Sequence, residues 1–346
     1  MTKTATKSEA VNVATADDEE VLAVEDLKVY YDTPSGPLKA VDGVTFTMKR
    51  GERLAIVGES GSGKSTLAVA LMRLTREPGR VVGGTVMLDG RNIFSLTDEE
   101  IRQMRLSEIA LVPQGAMNSL NPVMRVEAQM VDGILDHSLG SKPSKQDLSE
   151  RVVELLRSVG LPANVARMYP HELSGGMKQR VAMATATSLG PKIIVADEPS
   201  SALDVVVQRQ IMQTLRRLQD KLGASTLLIG HDMGLVAQFA DTIGVMYAGK
   251  IVELASVRQI FQAPRHPYTK LLIKSLPSLA GKGDFVAIPG LPPTLLDLPQ
   301  GCSFHPRCPD VLDKCRSVIP AFQSIGNDSF VACHLYDKEK TIGPSD

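Results

Sequence analysis

Tryptophan is absent from this chain of 346 residues, and aromatic residues make up only 4% of it. A carbohydrate-binding surface built from stacked aromatic rings is therefore not expected. No apolar run reaches the roughly 18 to 20 residues that span a bilayer. The first 20 residues have no apolar core and predict a disordered tail rather than a secretory signal. Neither charge dominates, with 38 Lys and Arg against 39 Asp and Glu, which argues against a polycation that coats nucleic acid.

Cysteine is missing from residues 1–301, and all four cysteines lie between Cys302 and Cys333. Without a secretory signal we expect a reducing compartment, which disfavours structural disulfides. Four thiols clustered in so short a segment therefore indicate a metal or iron–sulfur site.

The order of predicted elements divides the chain into three parts. Residues 21–95 are rich in strand patterns, residues 97–190 are more helical, and apolar strands alternate with helices over residues 190–260. Such alternation predicts an α/β fold with a mostly parallel sheet. The sequence after residue 262 is rich in proline and irregular. We therefore expect a tail over 1–20, an α/β domain over 21–262 with a helical subdomain at about 97–190, and a small irregular Cys-rich C-terminal extension over 263–346.

A glycine-rich loop lies between an apolar segment and a helical pattern. Residues 58–65 fit the pattern G-x-x-x-x-G-K-[ST]. Glycines let such a loop curl so that its backbone N–H groups point inward, and the N-terminus of the next helix adds positive potential, which favours phosphate oxygens. Lys64 is expected to reach the β- and γ-phosphates and Ser65 to ligate Mg²⁺. The predicted nucleotide-binding residues of this phosphate loop are Gly58, Glu59, Ser60, Gly61, Ser62, Gly63, Lys64, Ser65 and Thr66.

A second apolar strand pattern, residues 193–197, ends in two carboxylates. Asp197 is placed to hold Mg²⁺ through water, and Glu198 to polarise an attacking water as a general base. Many buried strands end in an acidic residue that only caps the following helix. The phosphate loop in the same chain favours the catalytic interpretation.

Residues 173–177, the signature segment, open a helix with Ser174, Gly175 and Gly176. Together with the phosphate loop and the Asp197-Glu198 strand 20 residues later, this segment resembles the signature of the nucleotide-binding subunits of ABC transporters. The resemblance implies a P-loop ATPase core. It also implies that Ser174, Gly175 and Gly176 bind the γ-phosphate of ATP held by a partner subunit.

The same resemblance assigns roles to four other residues. Gln114 resembles the glutamine that senses the γ-phosphate, His231 resembles the switch histidine, and Asp204 lies in a loop that crosses between two such domains. Tyr31 resembles the ring that stacks on adenine, although a plain strand aromatic would give the same pattern. The implied catalytic residues are Glu198, His231 and Gln114, and the implied Mg²⁺ ligands are Ser65, Gln114 and Asp197.

The C-terminal extension resembles the dipeptide/oligopeptide permease branch, through residues 266–268 and residues 301–309. Some members carry a [4Fe–4S] cluster, and thiolates are its usual ligands. Zinc, with His305 or His334 as substitute ligands, is the rival, and four reduced cysteines packed under loops are a third possibility. We expect the cluster to be structural, because the ATP motifs end well before it. The implied cluster ligands are Cys302, Cys308, Cys315 and Cys333.

The resemblance as a whole implies an ATPase subunit that uses ATP and Mg²⁺ to power import of a solute. Dipeptides or oligopeptides are the expected cargo, and oligosaccharides or nickel are the alternatives. The implied partners are a second homologous ATPase subunit, two membrane permease subunits and, indirectly, a solute-binding protein, with no nucleic acid. The chain would lie on the cytoplasmic face of the cell membrane. A soluble ATPase of the same superfamily, not attached to a transporter, is the alternative from another class.

Overall fold

The computed structural model describes residues 19–115, 119–138, 143–276 and 287–337. The predicted disordered tail therefore lies outside the described residues up to residue 18. An antiparallel sheet of order β2-β1-β4-β5 forms one layer. Its strands are β1 (Glu20–Thr33), β2 (Gly36–Lys49), β4 (Gly79–Leu88) and β5 (Arg91–Asn92).

The second sheet has the order β11-β12-β10-β9-β3-β8-β7-β6. Its central strands from β9 to β6 all run parallel, which confirms the predicted mostly parallel sheet. Since the carboxyl ends of parallel strands meet at one edge, the loops after these strands converge there. The strands are β3 (Arg53–Val57), β6 (Ile109–Val112), β7 (Ile193–Asp197), β8 (Ser225–Gly230), β9 (Thr242–Tyr247), β10 (Lys250–Ser256), β11 (Gln323–Gly326) and β12 (Ser329–Val331).

Helices cover the larger sheet, and their starts follow the local sequence. Thr97 and Ser144 form capping boxes at two N-termini. Within the described part of the chain, no helix combines the length and apolar character that a membrane crossing requires. The helices are α1 (Lys64–Leu71), α2 (Asp98–Ser107), α3 (Val126–Asp136), α4 (Lys145–Ser158), α5 (Gly175–Ala186), α6 (Val205–Leu222), α7 (Met233–Phe239), α8 (Val257–Gln262) and α9 (Pro267–Lys274).

The central strand β3 separates two apolar layers. Leu54 and Ile56 pack into the layer shared with the antiparallel sheet. Ala55 and Val57 face the layer formed with the helical side of the molecule. Alternate residues of a strand point to opposite faces, so this short apolar run is buried on both sides. The strand therefore holds the phosphate loop that follows it in a rigid position.

The C-terminal extension is tied to the larger sheet and is more regular than its sequence suggests. Strand β12 pairs with β10, with Glu253 opposite Val331, and β11 extends the same sheet. Tyr268 and Phe304 of the extension also pack on Tyr247 at the end of β9, with ring centroids 4.6 Å and 5.2 Å away. Because β9 is adjacent to β3, these contacts bring the extension beside the phosphate loop.

Candidate functional site

The phosphate loop connects β3 to α1 in a conformation that two glycines make possible. Gly58 has φ +152° and Gly63 has φ +103°. A Cβ atom would lie 2.1 Å from the carbonyl oxygen of Met246 at position 58, and 1.9 Å from that of Ala40 at position 63. No other residue fits these positions without moving backbone. The loop is therefore wedged between neighbouring strands with its curled shape fixed.

Lys64 lies at the centre of this loop, almost completely buried. Its Nζ donates hydrogen bonds to the carbonyl oxygens of Gly58 (2.9 Å) and Glu59 (2.8 Å) and to Ser62 Oγ (3.2 Å). Burial lowers the pKa of Lys64, while the negative charge of Glu198 and other nearby carboxylates opposes that shift. The lysine is thus a cation held in place by the loop that surrounds it.

Ser65 and Asp197 meet beside the first turn of α1. Ser65 Oγ donates to Asp197 Oδ1 at 3.1 Å. Burial raises the pKa of Asp197, and the hydrogen bond from Ser65 opposes the shift. Within the described ranges, no group of three or more His, Cys, Asp or Glu is arranged to hold a metal ion. Mg²⁺ usually takes only one or two protein ligands plus phosphates and water, so a hydroxyl beside a carboxylate fits its chemistry.

Glu198 brings together three residues that the sequence separates widely. Its Oε2 accepts a hydrogen bond from Gln114 Nε2 at 3.1 Å, and its Oε1 lies 3.3 Å from His231 Nδ1. The Glu198 backbone has φ +44°, a left-handed conformation that is costly for a non-glycine residue. Gln114 is also an implied Mg²⁺ ligand, but its side-chain amide bonds to Glu198 and not to Ser65 or Asp197. The predicted catalytic residues therefore form one contact group.

A cavity of about 270 Å³ opens over the phosphate loop. Tyr31 lies on its wall, as the adenine prediction requires, and packs so closely on Gly79 that a Cβ there would lie 2.7 Å from the ring. Leu295, from the C-terminal extension, also lines the cavity and was not predicted from the sequence. The predicted residues on this wall are Tyr31, Ser60, Gly61, Gly63, Lys64, Ser65, Thr66, Gln114 and Glu198.

The signature segment lies elsewhere. Ser174 Oγ accepts a hydrogen bond from the backbone N–H of Met177 at 3.3 Å and so caps α5. Asp204 caps α6 in the same way, through the N–H groups of Val206 and Val207, both at 3.0 Å. Neither residue is among the described residues that line the cavity. The structure therefore does not bring the signature segment to the phosphate loop of its own chain.

The C-terminal extension contacts the phosphate loop directly. Arg307 forms a two-pronged ion pair with Glu59, at 2.7 Å and 3.0 Å. The cluster is expected to be structural because the ATP motifs end well before it along the chain. Distance along the chain is not distance in space here, since the fold brings residues 248 positions apart into contact.

The four cysteines are close enough to influence one another. The backbone N–H of Cys302 donates to the carbonyl oxygen of Cys315 at 2.9 Å. Burial raises the pKa of Cys308 and of Cys333 to about 11, and negative charge on neighbouring cysteines contributes in both cases. Buried thiols with such pKa values stay protonated unless a cation compensates the thiolates.

The histidines of the same segment have other partners. His334 Nδ1 lies 2.9 Å from Asp337 Oδ2, and its Nε2 lies 2.9 Å from the carbonyl oxygen of Val318. His305 Nδ1 lies 3.0 Å from the carbonyl oxygen of Cys302. Both ring nitrogens of His334 are thus engaged, which disfavours this residue as a zinc ligand.

Comparison with known protein families gives two matches along the chain. The ABC transporter family matches residues 41–201. The C-terminal region of oligopeptide/dipeptide transporters matches residues 252–315. The two matches follow each other in the order that the sequence resemblance implied.

Curated relatives match over most of their length. The dipeptide transport ATP-binding protein DppD of Escherichia coli is 41% identical over 317 residues, which cover 91% of this chain and 96% of the relative. The oligopeptide transport ATP-binding protein OppD of Salmonella typhimurium is 44% identical over 303 residues, or 87% of this chain and 89% of the relative.

Solved structures agree with the fold. The ATP-binding cassette MJ0796, in a dimeric post-hydrolysis state with ADP and Pi, is 28% identical, with a TM-score of 0.62 over 68% of this chain and 99% of that chain. CbiO1 of Clostridium perfringens, part of an ABC transporter complex, is 26% identical with a TM-score of 0.60, over 71% of this chain and 92% of that one. From its phosphate loop to its C-terminal region, this chain belongs to the ABC transporter ATPases, in the group of dipeptide and oligopeptide transport ATP-binding proteins.

Proposed function

We propose that this ATPase powers the import of dipeptides or oligopeptides through membrane permease subunits. The contact of Glu198 with both Gln114 and His231, beside a complete phosphate loop, is the observation that carries the proposal. A chain that only bound nucleotide would not need a carboxylate held between an amide and an imidazole. The names of the relatives supply the cargo, and oligosaccharides or nickel are the alternative cargoes.

Each residue of the group has a task in hydrolysis. Glu198 orients the attacking water and accepts its proton, as a general base does. His231 holds the Glu198 carboxylate in place from the other side. Ser65 and Asp197 hold Mg²⁺, which neutralises charge on the β- and γ-phosphates. Gln114 exchanges its contact with Glu198 for the metal and phosphate when ATP is bound.

Tyr31 supports the adenine ring, since it lies on the wall of the same cavity as the phosphate loop. The loop binds the phosphates through its N–H groups and Lys64. These tasks leave the γ-phosphate open on the side away from the loop. A second homologous ATPase subunit closes that side with its signature segment, and Ser174, Gly175, Gly176 and Asp204 of this chain do the same for the partner.

Two such subunits close on ATP and open after hydrolysis, so the pair alternates between two conformations. Two permease subunits follow this motion, and a solute-binding protein delivers the peptide to them. The chain then works as a peripheral subunit on the cytoplasmic face of the cell membrane.

A [4Fe–4S] cluster ligated by Cys302, Cys308, Cys315 and Cys333 completes the proposal. The mutual electrostatic influence of the buried thiols supports it. The cluster, when bound, compensates the buried thiolates and cross-links the segment.

Reconstitution tests the transport function. The chain is co-purified with its permease and ATPase partners and placed in vesicles with the solute-binding protein and labelled dipeptides. We expect ATP-dependent uptake that is lost when Glu198→Gln is introduced into both ATPase subunits. ATP hydrolysis that no peptide stimulates, with uptake of nickel or an oligosaccharide instead, would reject the peptide assignment. Failure to associate with any membrane subunit would favour the soluble ATPase.

A further inference from the structure

Glu59 places a carboxylate inside the loop that has to bind phosphates. The carbonyl oxygen of Glu59 accepts a hydrogen bond from Lys64 Nζ at 2.8 Å, so Glu59 lies directly beside the cation of the loop. The same proximity makes Glu59 unfavourable for a bound triphosphate, because like charges repel strongly where water is partly excluded. A phosphate site that carries such a residue needs a compensating cation beyond Lys64.

Arg307 supplies that cation. Its Nη1 and Nη2 donate to Glu59 Oε2 and Oε1 at 2.7 Å and 3.0 Å, in the paired geometry that makes arginine–carboxylate contacts strong. The Arg307 side chain is 6% exposed and that of Glu59 is 25% exposed, so water screens this pair weakly. The charges of this pair therefore affect the electrostatic potential at the phosphate loop.

The guanidinium is fixed before any nucleotide arrives. Arg307 Nε donates to the carbonyl oxygen of Pro289 at 2.8 Å, and Nη1 donates to Tyr247 Oη at 3.3 Å. The backbone N–H of Glu59 donates in turn to Tyr268 Oη at 2.9 Å. The extension thus holds Glu59 by both its side chain and its backbone.

We propose that Arg307 is a positioning residue of the ATP site, which neutralises Glu59 and holds the phosphate loop in its binding conformation. Nucleotide affinity then depends on the C-terminal extension. The inference rests on the proposed role of the loop and adds to it a residue from outside the ATPase motifs. Arg307 lies in a short turn, His305–Arg307, between Cys302 and Cys308. The segment with the cysteines therefore sets the position of this guanidinium.

Equilibrium titration of the full chain with the Mg²⁺ complex of a non-hydrolysable ATP analogue tests the role. Arg307→Met should weaken binding about tenfold, since it leaves the Glu59 charge unpaired near the phosphates. Glu59→Gln should bind the analogue more tightly than Arg307→Met does, because it leaves no unpaired negative charge beside the loop. The double variant should recover to within about threefold of the unmodified chain, because it removes the charge that Arg307 neutralises.

Arg102→Met is the matched control. It removes a guanidinium from a similar two-pronged pair with Glu99, on α2 and outside the ATP cavity, and should leave affinity within about twofold. Binding by Arg307→Met within twofold of the unmodified chain, or a double variant as weak as the single one, would overturn the proposal. Thermal melting checks that each variant is folded.

Should Arg307→Met unfold, Glu59→Gln alone decides: retained affinity supports charge neutralisation, and a tenfold loss overturns it. Lys64→Ala in the same titration separates this proposal from the role of the loop. If the analogue binds Lys64→Ala as tightly as the unmodified chain, the phosphate-loop assignment fails. If only the Arg307 series fails, that assignment stands.

Discussion

The phosphate loop and the signature segment are both glycine-rich helix starts, yet their surroundings differ. Lys64 and Glu59 of the loop are bonded to neighbours from the loop itself and from the C-terminal extension. The bonds of Ser174 run within its own helix, from the N–H groups of Met177 and Lys178. Val207 packs so closely on Gly176 that a Cβ there would lie 2.7 Å from its side chain. This chain builds the first region alone, and in the proposed dimer the second region serves the other subunit.

Helix N-termini explain why the second region suits such a role. The start of α5 carries unpaired N–H groups and positive potential, which favour a phosphate group. Two glycines leave this end without bulky side chains, so a phosphate can approach the backbone. In the proposed dimer the partner brings that phosphate, and hydrolysis depends on both regions although binding depends mainly on the first.

Of the variants that test these two regions, Glu198→Gln is expected to change ATP turnover the most. The amide keeps the shape but cannot accept a proton, so turnover by the assembled complex should fall by about a hundredfold or more. ATP binding should remain. Steady-state hydrolysis and nucleotide titration measure the two separately. The partner's own site masks the loss unless its equivalent glutamate is also replaced, and near-normal turnover with both replaced would rule out the general-base assignment.

Lys64→Ala acts on binding instead. It removes the buried cation of the loop, so affinity for the triphosphate should fall about tenfold or more, unlike in Glu198→Gln. Equilibrium titration of both variants with the non-hydrolysable analogue gives the comparison directly. Equal affinities would show that Lys64 is not the phosphate contact.

Cys302→Ser tests whether the cysteine segment supports the loop through Arg307. An anaerobic preparation of the unmodified chain should be brown from its cluster, and the variant should be pale. In the full chain the variant should also bind the ATP analogue about threefold more weakly, since the turn that carries Arg307 is loosened. Ser317→Ala, at an exposed position of the same segment, is the control.

The two readouts of the cysteine variant are separate. If the unmodified chain is colourless and contains stoichiometric zinc and no iron, the segment binds zinc rather than an iron–sulfur cluster. Undiminished affinity in a bleached variant would show that the segment and the loop are not linked.

Ser174→Ala gives the smallest effect in the isolated chain. The signature segment lies outside the cavity, so affinity for the ATP analogue should stay within about twofold of the unmodified value. In the complex the same change should slow hydrolysis at the partner's phosphate loop. A loss of affinity in the monomer as large as that of Lys64→Ala would place Ser174 in the site of its own chain.

Local sequence was enough to predict the parts of the site that local physics builds. The loop needs glycine at positions 58 and 63 because backbone from other strands passes within contact distance there. The capping boxes at Thr97 and Ser144 are likewise decided by residues three positions apart. Such features leave a fixed spacing in the sequence, and the structure has the loop and both helix starts at these positions.

The contacts of the extension left no such pattern. Arg307 lies between two cysteines, and its sequence surroundings suggest only a turn. Its ion-pair partner Glu59 is 248 residues away along the chain. The hydroxyl of Tyr268 accepts a hydrogen bond from the N–H group of the same Glu59, 209 residues away. Leu295 reaches the cavity wall in the same way. The pairing of β12 with β10, the aromatic packing on Tyr247 and the hydrogen bond from the Lys39 N–H to the Leu295 carbonyl oxygen bring these residues to the loop.

One measurement tests the divided site most directly. This chain is assembled with its unmodified partner ATPase and permeases, carrying either Glu198→Gln alone or Glu198→Gln together with Ser174→Arg. The first change stops the site on this chain's phosphate loop, and the second is expected to stop the partner's site. The account predicts that the double variant hydrolyses ATP at least about tenfold more slowly than the single variant. Equal rates for the two complexes would contradict it, because Ser174 would then act only in the site already stopped.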